Sequence, residues 1–217
     1  MAHSHTFPSS RAPISIQILP TRTYISSSSS LKTPIPQTPS LSSNSPPIPI
    51  IPTMSEIIKA SKSQNVSIHL QTLGPFFRIT AKSLKTNNEL GKAEGVIRYW
   101  LRGKILHLDS MKLQKETVGM EKSIFGIGLF IGAVAIRHGY DCGCSVAELL
   151  AINDSDLYHS KLVRFYTRIG FKPVYEVTGE TTRDTMDRLV WGGYGTRMDA
   201  DVQQLLIKWG RRLQMLD

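Results

Sequence analysis

Residues 125–136 read FGIGLFIGAVAI, and this apolar stretch decides how the rest of the chain is interpreted. It predicts a buried helix, because it is apolar on every side, lasts about three turns and is followed by Arg137, His138 and Gly139. Glycines in the first turn of a helix let a ligand approach the backbone, where unpaired N–H groups favour a phosphate. Glycines that only permit close packing on a sheet are the competing interpretation. A dinucleotide site is disfavoured, because the spacing is G-x-G-x-x-x-G and no acidic ribose ligand follows at the expected distance.

Strand-like segments precede this helix. Apolar and polar residues alternate on either side of Gly74 and Pro75, and further β-prone segments follow, separated by turn residues. The predicted strands span residues 65–72, 76–84, 93–101 and 105–111. The pattern predicts a meander of roughly three or four antiparallel strands.

The segments after the helix alternate in type. They are a short apolar strand at 147–152, an amphipathic helix at 159–169 closed by Gly170, strand candidates at 171–177 and 188–191, and a terminal helix at 199–216. The terminal helix has an apolar stripe: Val202, Leu205, Leu206, Trp209, Leu213 and Leu216. The stripe predicts either a cover for the sheet or a contact in a homodimer. The order of elements predicts one α+β sheet domain.

The charge and composition exclude several classes of function. The 217 residues contain 26 Lys and Arg against 17 Asp and Glu, and residues 1–55 hold three of the basic side chains and no acid. The remaining mild excess, without Lys or Arg runs interleaved with aromatics, argues against a nucleic-acid partner. The longest apolar run, residues 124–136, is shorter than the about 20 residues of a membrane-spanning helix, so no membrane partner is expected. Cys142 and Cys144 are too few for a disulfide framework or a four-ligand zinc site, and no metal is expected.

The first part of the chain has a different composition. Fourteen of the first 55 residues are Ser and ten are Pro, whereas only Pro75 and Pro173 follow. Such a segment has few apolar groups to bury, so we expect it to be disordered. Its Ser-rich, acid-free composition is typical of an organelle transit peptide, and its few arginines favour a chloroplast, in a plant or alga, over a mitochondrion. An interaction tail is the alternative, and a product that starts at Met54 would stay in the cytoplasm or nucleus.

A second signature lies downstream of the apolar helix. Residues 165–171 read FYTRIGF, and residues 126–131 read GIGLFI about forty residues earlier, with a predicted strand between them. In this order the two segments resemble the GNAT family of N-acetyltransferases, whose pyrophosphate-binding motif is Q/R-x-x-G-x-G/A. The resemblance covers residues 76–191. It implies an α+β, GNAT-like fold with a mixed, mostly antiparallel, V-splayed sheet flanked by helices.

This resemblance and the composition predict the organisation of the chain. The three parts are a disordered transit peptide at 1–53, an acyl-CoA N-acyltransferase-like domain at 54–198 and a C-terminal amphipathic helix at 199–217.

The resemblance also implies roles for individual residues. Acetyl-CoA would be the co-substrate, and Tyr166 would be the general acid that protonates the leaving thiolate. The implied binding residues are the backbone of Phe125, Gly126, Ile127, Gly128 and Leu129 at the pyrophosphate, and Met111, Lys112 and Leu113 along the pantetheine arm. An amine that attacks directly requires the protein mainly to position the partners and to handle two protons. A tyrosine that only packs on the sheet is the competing interpretation of Tyr166.

The chain departs from the family pattern at two points. Ser123 stands where the family motif has Arg or Gln, which removes one side-chain contact to the pyrophosphate. The two helices expected between the first two strands are reduced, because Leu73, Gly74 and Pro75 alone separate these strands, and residues 54–63 are a candidate substitute. We therefore expect an open acceptor site.

The base that deprotonates the amine is left open by the sequence. Asp109 and Glu148 lie on the two strands expected to splay, but alternation alone does not say which face they use. A chain of water molecules is a third possibility.

Two functions follow from these observations. The first is an acetyl-CoA-dependent N-acetyltransferase that acts on a protein lysine, a protein N-terminal amine or a small amine. The alternative is a non-catalytic acyl-CoA-binding or regulatory module with the same fold. Tyr166 favours catalysis, whereas Ser123 and the reduced helices favour the module.

Overall fold

The computed structural model describes residues 51–101, 103–114, 123–178 and 190–213. The strands are β1 (Val66–Leu73), β2 (Phe76–Ser83), β3 (Glu89–Trp100), β4 (Gly103–Leu113), β5 (Cys144–Ile152), β6 (Lys172–Val177) and β7 (Gly195–Asp201). The helices are α1 (Met54–Ser63), α2 (Ser123–Asp141), α3 (Asp156–Ile169) and α4 (Val202–Leu213).

The strands form a single mixed, mostly antiparallel sheet in the order β1-β2-β3-β4-β5-β7-β6. Among the strands that are hydrogen-bonded neighbours, only β4 and β5 run parallel to each other. β1 and β2 are joined by a tight turn at Gly74, whose φ of 60° suits glycine. The predicted α+β class is thereby confirmed, and within residues 51–101 a single helix, α1, precedes β1 and none lies between β1 and β2.

The four described helices pack against one face of the sheet. The β4-α2-β5 and β5-α3-β6 connections join parallel strands, and the right-handed sense of such crossovers puts α2 and α3 on the same face. α4 packs on α2, and Trp209 Nε1 donates a 2.9 Å hydrogen bond to the carbonyl oxygen of Ile169 at the end of α3. On the opposite face, which we call the free face, residues 190–191 are the only helical residues that the structure describes.

α2 is longer than the sequence predicts. It begins at Ser123 and continues past Gly139 to Asp141. Gly139 lies inside the helix, where it allows close packing on the sheet rather than ending the helix. A Cβ atom added there would lie only 3.0 Å from Leu106 Cδ2. Within the described ranges, no helix is long and apolar enough to cross a membrane.

The C-terminal part corrects two predictions. Val190 and Trp191 are helical rather than part of a strand, and residues 188 and 189 lie outside the described ranges. The strand lies instead at β7, so α4 begins at Val202 rather than at residue 199, and the sheet crosses the predicted boundary between residues 198 and 199. The strand is hidden in the sequence because its buried residues, apart from Met198, are small or polar and alternate with charged ones.

The apolar stripe of α4 covers the core of its own chain. Its described members are all buried: Val202, Leu205, Leu206, Trp209 and Leu213. Leu216 lies outside the described ranges. The stripe is therefore not available for a homodimer contact, and the homodimer stays a prediction.

Residues 1–50 of the predicted transit peptide lie outside the described ranges. The last residues before Met54 belong to the fold. Thr53 is the N-cap of α1, with a capping box in which the Glu56 N–H donates to Thr53 Oγ1 at 3.2 Å and the Thr53 N–H donates to Glu56 Oε2 at 2.7 Å. The carbonyl oxygen of Pro52 accepts a 3.1 Å hydrogen bond from Arg137 in α2.

Replacing Thr53 with alanine in the full chain should lower the free energy of unfolding by about 1 kcal/mol, because the hydroxyl satisfies an end N–H group of α1. Urea unfolding measures this change. Thr53→Ser, which keeps the hydroxyl, is the control and should be near neutral. Equal stability of all three proteins would mean that the cap contributes nothing.

Candidate functional site

The parallel strands β4 and β5 separate before they end. Their pairing runs from Lys104 opposite Cys144 to Leu108 opposite Leu149. Beyond these residues β4 continues to Leu113 and β5 to Ile152, without further pairing between them. A V-shaped gap therefore opens towards the carboxyl ends of the two strands, as the resemblance implies.

A β-bulge lies at the vertex of this gap. Gly95 of β3 pairs with Leu108 and Glu94 pairs with Ser110, so that Asp109 is the extra residue of β4. A bulge bends its strand and increases the local twist. The bulge thus supplies the physical cause of the separation, since it turns the last residues of β4 away from β5.

The first turns of α2 lie beside the open end of the gap. A Cβ atom added at Gly126 would meet nothing within 4 Å, and one added at Gly128 would meet only Leu113 Cδ1 at 3.6 Å, an ordinary contact. Packing therefore does not require glycine at either position, in contrast to Gly139. The first N–H groups of a helix have no partner within the helix, so this open surface presents donors at the positive end of the helix dipole.

The other predicted pyrophosphate residues also lie in the first turns of α2. Phe125 lies in the first turn of α2, while the side chains of Ile127 and Leu129 are buried in the core. The connection at residues 115–122 lies outside the described ranges.

The predicted pantetheine residues lie on the unpaired part of β4. Met111, Lys112 and Leu113 pair with β3 and have no pairing with β5. Their β5-facing backbone edge therefore borders the gap. The ordinary contact distance between Leu113 and the Cβ position of Gly128 shows that the structure brings this segment and the start of α2 together.

Tyr166 lies on α3, which packs on β5, the other wall of the gap. Its ring centroid is 5.4 Å from that of Phe165 and 6.0 Å from that of Phe171. Burial raises the pKa of Tyr166 to about 12, so that its hydroxyl stays protonated at neutral pH. No hydrogen bond links this hydroxyl to any residue that the structure describes. The ring is partly buried against the core, and the hydroxyl remains a protonated donor.

A buried polar network lies on the free face, next to the vertex of the gap. Glu148 of β5 is only 4% exposed in its side chain and accepts 3.0 Å and 2.9 Å hydrogen bonds from Arg98 and Arg197. His107 Nδ1 lies 2.9 Å from Glu148 Oε1, and Arg197 also bonds Asp199. Burial alone would raise the pKa of Glu148, but the His107 hydrogen bond and the charges of Arg197 and Arg98 hold it below its usual range.

His107 is the residue that the sequence did not single out. It pairs in register with Glu148, immediately before the last β4–β5 pair. Its ring lies against Trp191, with centroids 4.2 Å apart. A histidine between the apolar Leu106 and Leu108 signals the opposite face of the strand, but the sequence does not reveal the parallel register that places Glu148 beside it.

A cleft of about 770 Å³ runs across the free face from β1 to β4. Its walls include apolar side chains such as Phe76 and Val190, the charged Arg98 and Asp109, and the imidazole of His107. Of the two sequence candidates for a base, Asp109 is exposed in this cleft, whereas Glu148 is buried beneath it. Among the described residues, no cluster of His, Cys, Asp and Glu could hold a metal ion.

No protein-family model matches the sequence, and no curated protein matches it. Solved structures with a similar arrangement include that of nourseothricin acetyltransferase, which is 14% identical, with 64% of this chain and 85% of that chain covered and a TM-score of 0.41. Another is the aminoglycoside 6'-N-acetyltransferase from Enterococcus faecium, which is 13% identical, with 58% of this chain and 74% of that chain covered and a TM-score of 0.36.

Proposed function

We propose that this chain is an acetyl-CoA-dependent N-acetyltransferase of the GNAT type, which transfers an acetyl group directly to an amine. The observation that carries the proposal is the gap between β4 and β5, which opens beside the start of α2 where Gly126 and Gly128 leave space that packing does not need. The gap offers backbone groups along one wall and anion-binding N–H groups at its mouth.

The binding residues follow from this arrangement. The backbone N–H groups around Phe125–Leu129 would hold the pyrophosphate of acetyl-CoA, and residues 111–113 would line the pantetheine arm. Because these contacts use the backbone, the replacement of the family's Arg or Gln by Ser123 removes one contact and leaves the others.

The chemistry requires little more than positioning and two proton transfers. The amine nitrogen forms a bond to the thioester carbonyl carbon, the carbon–sulfur bond breaks, and Tyr166 donates its hydroxyl proton to the departing sulfur. Protonation of Tyr166 at neutral pH supports this role. The amine gives up one proton to a base, and solvent returns a proton to Tyr166.

The acceptor would approach from the free face. The open cleft there, and the lack of a helix between β1 and β2, leave room for a side chain of a protein as well as for a small amine. The non-catalytic acyl-CoA-binding module remains the second candidate, since Ser123 weakens the motif and the acceptor wall is reduced. The chloroplast localisation, with its alternatives, stays a prediction from the composition of residues 1–53.

The proposal is tested by calorimetric titration of acetyl-CoA into the full chain and into a variant that carries both Gly126→Val and Gly128→Val. The valines fill the open surface, so we expect affinity to fall by about 100-fold or more, or ~2.7 kcal/mol. The fold should persist, because valine is no worse than glycine in a helix.

The matched control is Gly193→Val, at a glycine whose added Cβ would also meet nothing within 4 Å but which lies far from α2 in sequence. It should bind acetyl-CoA like the parent. A parent that does not bind acetyl-CoA would refute both the enzyme and the binding module. Unchanged binding by the double variant would place acetyl-CoA elsewhere.

A further inference from the structure

We infer that His107, held in position by Glu148, is the base that takes the proton from the acceptor amine. This inference rests on the proposed function and assigns the step that the sequence left open. Three features of the free face carry it: the register of the two residues, the hydrogen bonds of the imidazole and the place of His107 in the lining of the cleft.

The register places the imidazole next to the vertex of the gap. His107 and Glu148 form the pair immediately before Leu108 and Leu149, after which β4 and β5 separate. Leu108 and Leu149 point to the helix face, so His107 is the last paired side chain of β4 on the free face. A thioester held in the gap would therefore meet an amine from the cleft beside this imidazole.

The hydrogen bonds select one tautomer. Glu148 is ionised, since its pKa is lowered and two arginines donate to it, and an ionised carboxylate only accepts. His107 Nδ1 must then carry the proton of the 2.9 Å bond to Glu148 Oε1. Arg98 Nη1 lies 3.4 Å from the same nitrogen, but it can only donate and so makes no hydrogen bond to a protonated Nδ1. Nε2 of the neutral ring keeps its lone pair, and among the described residues nothing hydrogen-bonds to it. Trp191 packs on the ring and limits its rotation.

Charged side chains from four strands lie around the imidazole. The groups that face the imidazole are Arg98 from β3, Glu148 from β5, and Arg197 and Asp199 from β7, with Asp109 on β4 itself. Two of these groups, Arg98 and Arg197, donate to Glu148 and so fix the carboxylate that orients the imidazole.

The two carboxylates are weaker candidates for the base. The side chains of His107 and Glu148 are both only 4% exposed, so burial does not separate them. Glu148 has both oxygens engaged, by Arg98 and His107 on one side and by Arg197 on the other, whereas Nε2 of His107 has no partner among the described residues. Asp109 is exposed and nothing among the described residues orients it. Glu148 is therefore a positioning residue in this scheme, and Asp109 is the competitor that the experiment must include.

The base acts before the amine attacks. The acceptor arrives as an ammonium ion and passes one N–H proton to Nε2 of His107, which becomes an imidazolium paired with Glu148. The free amine then bonds to the carbonyl carbon, and its nitrogen, which is cationic after the attack, loses a second N–H proton to water. The carbon–sulfur bond breaks as Tyr166 protonates the sulfur. The imidazolium then releases its proton to water in the open cleft.

The test uses the full chain with acetyl-CoA and two probe acceptors. n-Butylamine is an ammonium ion at neutral pH and needs a base, whereas hydroxylamine is largely neutral and does not. For His107→Gln we expect kcat/KM for n-butylamine to fall by about 100-fold or more. The value for hydroxylamine should change by less than about threefold, since no general base is then needed. The residual n-butylamine rate should rise steadily with pH, because only the free amine then reacts.

The matched control is His69→Gln, an exposed histidine of β1 bonded to Ser67, which should change neither rate. Asp109→Asn tests the competing carboxylate. Acetyl-CoA binding, measured for every variant, reports whether the fold and the gap are intact.

The outcomes separate the inference from the function on which it rests. If the parent acetylates n-butylamine and His107→Gln leaves that rate unchanged, or Asp109→Asn alone abolishes it, the inference is overturned and the function stands. A loss of equal size for both acceptors also overturns it, since it indicates a structural role. If the parent binds acetyl-CoA and acetylates neither probe, the binding module is favoured and the inference is overturned. If the parent does not bind acetyl-CoA, the proposed function and the inference about His107 are both overturned.

Discussion

Replacing Glu148 with alanine should lower the free energy of unfolding by about 3–5 kcal/mol, because it leaves buried charged groups without their partner. Arg98, Arg197 and His107 all bond to this carboxylate, whose side chain is 4% exposed. A domain of ordinary stability has roughly 5–15 kcal/mol in total, so the variant should be close to unfolding at room temperature. Urea unfolding followed by circular dichroism measures the change.

The matched control is Glu94→Ala, which breaks the ion pair of Glu94 with Arg78 on the same face. These side chains are 32% and 59% exposed, so the expected loss is below about 1 kcal/mol. If the two variants lost similar stability, the network around Glu148 would be no more important than an exposed ion pair.

The same network predicts a dependence on pH. The pKa of Glu148 is lower in the folded chain than in the unfolded one, so its stabilisation is present above the unfolded pKa and is lost as pH falls through the folded pKa. Burial raises the pKa of Asp199, which contributes with the opposite sign. The loss of stability in acid should therefore be steeper in the parent than in Glu148→Ala.

Replacing Tyr166 with phenylalanine should lower kcat for n-butylamine by about 100-fold to 10,000-fold, the range for loss of a general acid, while acetyl-CoA binding is unchanged. The substitution keeps the ring contacts with Phe165 and Phe171 and removes a hydroxyl that bonds to no described residue. Stability should therefore change little. Release of the thiol of CoA, followed with a thiol reagent, measures the rate.

Tyr158→Phe is the matched control, since Tyr158 lies on the same helix and is also partly buried. It should keep the parent rate. A normal rate for Tyr166→Phe would show that this tyrosine only packs on the sheet, and that solvent protonates the thiolate.

The elements that were predicted from sequence are those with a strong local pattern. The apolar run of α2, the alternation in β1 and β2 and the stripe of α4 each follow from the chemistry of neighbouring residues, and the structure places a helix or strand at each. β7 was missed because Arg197 and Asp199 join the buried network and break the apolar pattern of the strand.

The candidate site was predictable only where one segment forms it. The glycines of α2 could be singled out, but the sequence does not distinguish Gly126, with open space beside it, from Gly139, which packs on Leu106. The pairing of His107 with Glu148 depends on the register of two parallel strands separated by a whole helix. Such a register is set by tertiary packing, which local sequence patterns do not report.

The placement of α1 to α4 on one face separates substitutions in the core from substitutions in the cleft. Along β2 and β3, Ile79 and Ala93 are buried under the helices, while their neighbours Arg78 and Glu94 line the cleft on the other face. Substitutions at such cleft positions on the free face therefore leave the core volume and the gap between β4 and β5 untouched. A lineage that keeps this scaffold can change what enters the cleft one residue at a time, without repacking the interior.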